Sequence, residues 1–116
     1  MDIGAIGIDM VSTARIRSIL TENNEQFMAN TFSLLEQEYC RSHTDPAPHF
    51  AGHFAAKEAV RKATGNLSLA FKDTEVRHAT SGKPGIWMDG IFEPSILISI
   101  THTDTDACAI AFINKK

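Results

Sequence analysis

Nowhere in these 116 residues does an apolar run approach the length of a bilayer span, so the sequence offers no candidate transmembrane helix. The start, Met1-Asp2-Ile3, lacks the basic segment and longer apolar stretch of a secretory leader. Cysteine is nearly absent: Cys40 and Cys108 stand far apart, form no C-x-x-C pair, and read as small hydrophobes in a reducing, cytoplasmic compartment. There is no excess of basic charge either. A net charge of −3 excludes the broadly basic surface of a general nucleic-acid binder. The sequence also holds no G-x-x-x-x-G-K-[ST] phosphate loop, no G-x-G-x-x-G fingerprint, no G-x-S-x-G elbow and no H-E-x-x-H zinc pair. The familiar nucleotide and hydrolase machines are therefore unsupported, and the histidines and cysteines complete no zinc-ligand spacing. With no repeat, low-complexity tract or linker, a single domain over residues 1–116 is expected.

A hydrophobic content of 43% is enough for a folded core, though a core this small favours oligomerisation. Charge is uneven: residues 1–46 hold seven acidic against three basic side chains, and residues 47–90 hold four against six. The second segment is where an anionic ligand would go. Ile3 to Ile8 reads as a buried strand ending at Asp9, followed by an N-cap at Ser12 or Thr13 and a helical face of Ile16, Ile19 and Leu20. Asn23-Asn24 interrupts that helix. Ser33-Leu34-Leu35-Glu36 matches a capping box and opens a second helix to about Ser42. After the break Thr44–Pro48, the longest helix is expected from about Pro48 to Thr64, closed by Gly65. Ala51, Ala55, Ala59 and Ala63 form a row that lets something approach its backbone closely. Beyond it, Thr74–Ala79 and Ile86–Met88 flank the turn Thr80-Ser81-Gly82-Lys83-Pro84 as a hairpin, and Ile96–Thr101 with Ala107–Ile113 forms another.

Asp9 at a strand end and Glu58 on the long helix, with Lys62 one turn further, supply hard oxygen ligands and a cation suited to phosphate. Each has an ordinary alternative: Asp9 as a turn residue or cap, and Glu58 with Lys62 as a surface i, i+4 ion pair. Gly82-Lys83-Pro84 alone is equally a hairpin turn. His102, ending the alternating Ser99-Ile100-Thr101, is either a solvated loop residue or a donor to phosphate.

In order along the chain, Ile6-Gly7-Ile8-Asp9-Met10-Val11, Phe54-Ala55-Ala56-Lys57-Glu58-Ala59-Val60-Arg61-Lys62-Ala63, Gly82-Lys83-Pro84 and Ser99-Ile100-Thr101-His102 resemble the motifs of the holo-acyl-carrier-protein synthases. These are the small trimeric class of 4′-phosphopantetheinyl transferases. The resemblance spans nearly the whole chain, and the central helix is its specific part. It implies an α+β domain, helices packed on an antiparallel-rich sheet, assembling as a homotrimer with sites between subunits. It also implies transfer of the 4′-phosphopantetheine arm of coenzyme A to a serine of an apo acyl carrier protein, releasing adenosine 3′,5′-bisphosphate, in cytoplasmic fatty-acid and lipid metabolism.

Under the same resemblance, Asp9, Glu58 and Lys62 form the catalytic set. Asp9 and Glu58 hold Mg2+ against the coenzyme A diphosphate, and Lys62 binds a diphosphate oxygen. His53, Lys62, Gly65, Gly82, Lys83, Pro84, Thr101 and His102 fall at coenzyme A positions, with His102 contributed by a neighbouring subunit. Arg15, assisted by Arg17, falls where the carrier protein is gripped. The chain departs from the family pattern where His53 replaces an arginine, where Thr64-Gly65-Asn66 lacks a second glycine, and where Thr21–Glu25 lacks basic residues. The alternative reading is a non-catalytic trimeric relative that binds coenzyme A or a carrier.

Overall fold

Alternation of apolar side chains carries the first strand past its expected end. The computed structural model describes residues 3–66 and 68–114, so the Met1-Asp2 start used in the leader reading lies outside them. Strand β1 runs Ile3–Ser12, and Asp9 therefore lies inside it rather than after it. The extension follows from pairing: β1 lies antiparallel to β6 (Asp106–Asn114) as far as Ser12 opposite Asp106. Ser12 then caps α1 (Thr13–Thr21), its hydroxyl accepting from the Arg15 amide at 3.3 Å.

Asn23 turns the chain with φ 54°, a conformation asparagine tolerates, and Asn24 caps a short helix α2 (Glu25–Thr31) that sequence periodicity did not separate. The Ser33–Glu36 capping box is present in both directions at the start of α3 (Leu34–Arg41). Helix α4 spans Pro46–Thr64, beginning inside the expected break. Prolines are accommodated there because first-turn amides have no helical partner. Gly65 ends α4 in the left-handed region, φ 71°. A 3₁₀ turn, Phe71–Asp73, leads to β2 (Thr74–His78), β3 (Pro84–Met88), the two-residue β4 (Ile91–Phe92) and β5 (Ile96–His102). The strands form two antiparallel sheets, β1-β6-β5 and β2-β3-β4. This is the expected α+β arrangement of helices on antiparallel sheet.

The alanine row of α4 is the seat of β1. A Cβ on Gly7 would lie 2.0 Å from the Ala59 carbonyl oxygen and 2.8 Å from the Ala63 amide, so strand and helix backbones touch directly. Only glycine opposite alanine permits that approach. Because strand side chains alternate, Gly7, Asp9 and Val11 face α4 while Ile6, Ile8 and Met10 face outward, 56%, 58% and 67% exposed. Across the sheet Ile6 lies opposite Phe112, and Phe112 opposite Leu97. The outer apolar row therefore continues into a cleft of about 490 Å³ lined by Lys83, Pro84, Trp87, Phe92, Leu97 and Phe112.

A buried ion pair ties the helices to the second sheet. Lys57, next to Glu58 in sequence but turned into the core, is fully buried beside an equally buried Glu36. Its ammonium donates to Glu36 Oε1, to the Thr31 carbonyl at 2.8 Å and to the Phe71 carbonyl at 2.9 Å, which uses all its protons. The Glu36 carboxylate also accepts from the amides of Ser33 (2.9 Å) and Val76 (2.7 Å). Burial pushes the Glu36 carboxyl up and the Lys57 ammonium down, each toward its neutral form, and this web of donors and acceptors opposes both.

Candidate active site

Closeness of β1 to α4 brings Asp9 and Lys62 together across 53 residues of sequence. Lys62 Nζ donates to Asp9 Oδ1 and to the Ile8 carbonyl, both at 3.1 Å. Glu58, one turn earlier on the same face, pairs with Arg61 at 3.1 Å rather than with Lys62. The alternative of an i, i+4 surface pair is therefore not what forms, and Lys62 reaches back to the strand. The side chains are partly open: 14% exposed at Asp9, 29% at Glu58 and 54% at Lys62. With Arg61 they make two carboxylate–cation pairs, Asp9 with Lys62 and Glu58 with Arg61, at the edge of the core.

The donor chemistry fits a hard divalent cation. Magnesium typically takes one or two carboxylates and completes its shell with water and substrate phosphate. Among the described residues no group of three or more His, Cys, Asp or Glu converges to hold a metal.

The other expected site residues are spread around this patch. Gly65 caps α4 close to Lys62 in sequence. Gly82 (φ 94°) and Lys83 form the exposed β2–β3 turn, and Pro84 begins β3. Thr101 and His102 end β5, both exposed. Arg15 is exposed on α1, whereas Arg17 is held by Asp45 in a two-pronged ion pair at 2.7 and 3.0 Å. That pair holds the Asp45 carboxyl below its usual range.

His53 is the exception. Rather than reaching a ligand, it is 2% exposed and packs between other rings. A neutral imidazole can be buried where the permanently charged arginine of the family pattern could not be without a partner. Four of the five histidines of the sequence gather about Tyr39, and the fifth, His102, meets one of them. The Tyr39 ring centroid lies 4.0 Å from His78, 4.9 Å from His43, 5.5 Å from His53 and 6.3 Å from His49. His49 stacks on His43 at 3.5 Å and meets His102 edge-on at 5.7 Å. His102 thus approaches a histidine of its own chain. Sequence reasoning missed Tyr39, His43, His49 and His78; the i, i+4 spacing of His49 and His53 on α4 was the available signal.

Burial, followed by the neighbouring His78, Lys57, His49 and His43, pushes the His53 pKa down to about 3. His49 and His78 are lowered too, again chiefly by burial. The unfolded chain, with histidine near 6.5, therefore takes up protons before the folded one, and stability that is complete above about pH 6.5 is lost as pH falls toward 3. Between pH 7 and pH 5 His53 alone should cost about 2 kcal/mol. Urea unfolding at both pH values measures it. His53→Phe, which keeps the ring and removes the proton site, should reduce the pH slope, and an unchanged slope would refute the account.

The family model described as "4'-phosphopantetheinyl transferase superfamily" matches residues 5–113. A holo-[acyl-carrier-protein] synthase of Thermodesulfovibrio yellowstonii is 38% identical over 112 residues, covering 96% of this chain and 98% of that protein. Among solved structures, a Bacillus anthracis holo-(acyl-carrier-protein) synthase in complex with CoA (3',5'-ADP) superposes with a TM-score of 0.82 at 29% identity, over the whole of both chains. The Helicobacter pylori holo-[acyl-carrier-protein] synthase in complex with coenzyme A also gives 0.82, at 28% identity, covering 94% of this chain and 99% of that one.

Proposed function

The chain belongs to the 4′-phosphopantetheinyl transferase superfamily, and from that premise we propose that it acts as a holo-acyl-carrier-protein synthase. It transfers the 4′-phosphopantetheine of coenzyme A to a serine of an apo acyl carrier protein. The observation that carries the reading is the Asp9–Lys62 contact beside Glu58, which assembles carboxylates and a cation from separate segments within one small patch.

In the reaction the serine oxygen forms a bond to the phosphorus that bears the pantetheine arm. The bond from that phosphorus to the bridging oxygen breaks, and adenosine 3′,5′-bisphosphate departs. Asp9 and Glu58 would hold Mg2+, which supplies charge neutralisation to the diphosphate. Lys62, already hydrogen-bonded at the strand, presents its ammonium to a diphosphate oxygen and stabilises the charge that grows on the leaving group. Glu58 stands as acceptor of the serine proton, directly or through water. Lys83 and Pro84, with Gly82, offer a wall for the adenosine side, and Gly65, Thr101 and His102 line the approach. His53 acts from within rather than as a direct ligand.

Arg15 and Arg17 on α1 supply the local positive charge that an acidic carrier needs. For Arg17 the carrier competes with Asp45. The outward row Ile6, Ile8, Met10 and the apolar cleft it runs into support burial against further copies, as a homotrimer with sites between subunits. Cytoplasmic fatty-acid synthesis is the setting proposed for the reaction.

Incubation with apo acyl carrier protein, coenzyme A and magnesium, followed by mass spectrometry of the carrier, tests the function. A mass gain of one phosphopantetheine group is expected. An unmodified carrier, across every carrier of the same genome, would refute it.

A further inference from the structure

His78 is at the last residue of β2, and its ring joins the buried interior to the turn that follows. Its Nδ1 lies 3.2 Å from the Gly82 carbonyl oxygen. A carbonyl only accepts, so Nδ1 carries the proton, and in the neutral ring Nε2 is left with the lone pair. That lone pair faces His53 Nε2 at 2.9 Å, which must then be the donor. His53 Nδ1 consequently bears a lone pair of its own, with no hydrogen-bond partner among the described residues and Glu36 Oε2 3.9 Å away. One directed series thus runs from the core, His53 N–H to His78 and His78 N–H to Gly82. The plane of His78 is fixed by Tyr39, stacked at 4.0 Å and 8°.

The carbonyl that His78 captures belongs to the Gly82–Lys83 peptide. In a trans peptide the carbonyl and the next amide point in opposite directions, so drawing the Gly82 oxygen inward turns the Lys83 amide away from it. Gly82, at φ 94°, has the backbone freedom to follow. The rest of the turn is held by the Gly82 amide on the Ala79 carbonyl (2.8 Å), the Ala79 amide on the Lys83 carbonyl (2.9 Å) and the Lys83 amide on the Ser81 hydroxyl (3.4 Å). Without His78 nothing in the described structure holds the Gly82 carbonyl.

We propose that His78 is a positioning residue for coenzyme A: it orients the Gly82–Lys83 peptide, and through it the turn that receives the nucleotide. His53 keeps His78 in the required tautomer. The proposal rests on the transferase reading above and adds to it a residue outside the motifs that support that reading.

Steady-state kinetics of wild type, His78→Phe, His78→Asn and His78→Gln, with coenzyme A and carrier varied separately, test it. The phenylalanine variant keeps the stacking on Tyr39 and loses both nitrogens. Its KM for coenzyme A should rise about tenfold, the scale of one lost hydrogen bond, with kcat and the KM for carrier within about twofold. Asparagine places an amide N–H where Nδ1–H stands and should recover most of the loss. Glutamine extends toward the Nε2 position and should not. Thermal unfolding of each variant checks the fold. If the phenylalanine variant does not fold, the difference between asparagine and glutamine decides. An unmoved KM for coenzyme A in the phenylalanine variant, or asparagine and glutamine behaving alike, overturns the inference. A wild-type protein that transfers nothing overturns the function itself, so the two failures are distinguishable.

Discussion

Glu58→Gln should abolish transfer, lowering kcat about a thousandfold, the range expected when a general base and a metal-holding carboxylate are removed together. Glutamine keeps the shape of the side chain and an oxygen able to accept from Arg61, whose guanidinium lies 3.1 Å from Glu58 Oε1. The fold therefore has little reason to change. The lost ion pair is partly exposed and worth at most about 1 kcal/mol. What disappears is the negative charge proposed to help Asp9 hold a divalent cation and to accept the serine proton. Initial rates by carrier mass spectrometry, with circular dichroism as the control for folding, measure the effect. The companion Asp9→Asn should fall comparably, since Asp9 shares the site and also steadies Lys62. Near-normal turnover in either variant would remove these residues from the catalytic assignment.

Lys57→Met should be strongly destabilising. It leaves the Glu36 carboxylate fully buried without its counter-charge and takes the donor from the Thr31 and Phe71 carbonyls. Removing one member of a buried pair typically costs about 3–5 kcal/mol, which for a domain of this size is a fall in Tm of roughly 10–25 °C. The deficit should depend on pH. Burial already raises the Glu36 pKa, and losing Lys57 raises it further, so the folded variant prefers protonated Glu36. A group whose folded pKa lies above its unfolded value contributes most at low pH and least at high pH. The gap between wild type and variant should therefore narrow from pH 8 to pH 5. Adding Glu36→Gln to Lys57→Met should restore part of the loss, because the charge left stranded is removed. Additive losses in that double variant would show that the two residues do not act as a pair.

Local rules made much of the framework readable in advance. The Ser33–Glu36 box, the closing Gly65 and the hairpins around Gly82 and His102 depend on neighbours within a few residues, and they stand as expected. The end of β1 was misjudged because it is decided by a strand near the other end of the chain, and α2 escaped notice because seven residues carry too little periodicity. In the site, the family motifs named Asp9, Glu58 and Lys62, but nothing local joined Lys62 to Asp9. Lys57 sat unremarked between recognised residues, since a lysine in a helix is ordinarily solvated. The motif position of His53 implies ligand contact, whereas its surroundings, Tyr39 and His78, come from α3 and β2 and are not legible locally.

By itself, then, the sequence determined the α+β class, the order of the elements, the long capped helix and the family to which its motifs point. Periodicity, caps and turns are written in residues that are close along the chain. Only the tertiary structure decided partnerships: Lys62 with Asp9 and not Glu58, Lys57 with Glu36, and four of the histidines around one tyrosine. The physical reason lies in the meeting of backbones at Gly7 and Ala59, which sets which distant side chains share a low-dielectric neighbourhood, and there burial determines which charges pair and which imidazoles stay neutral.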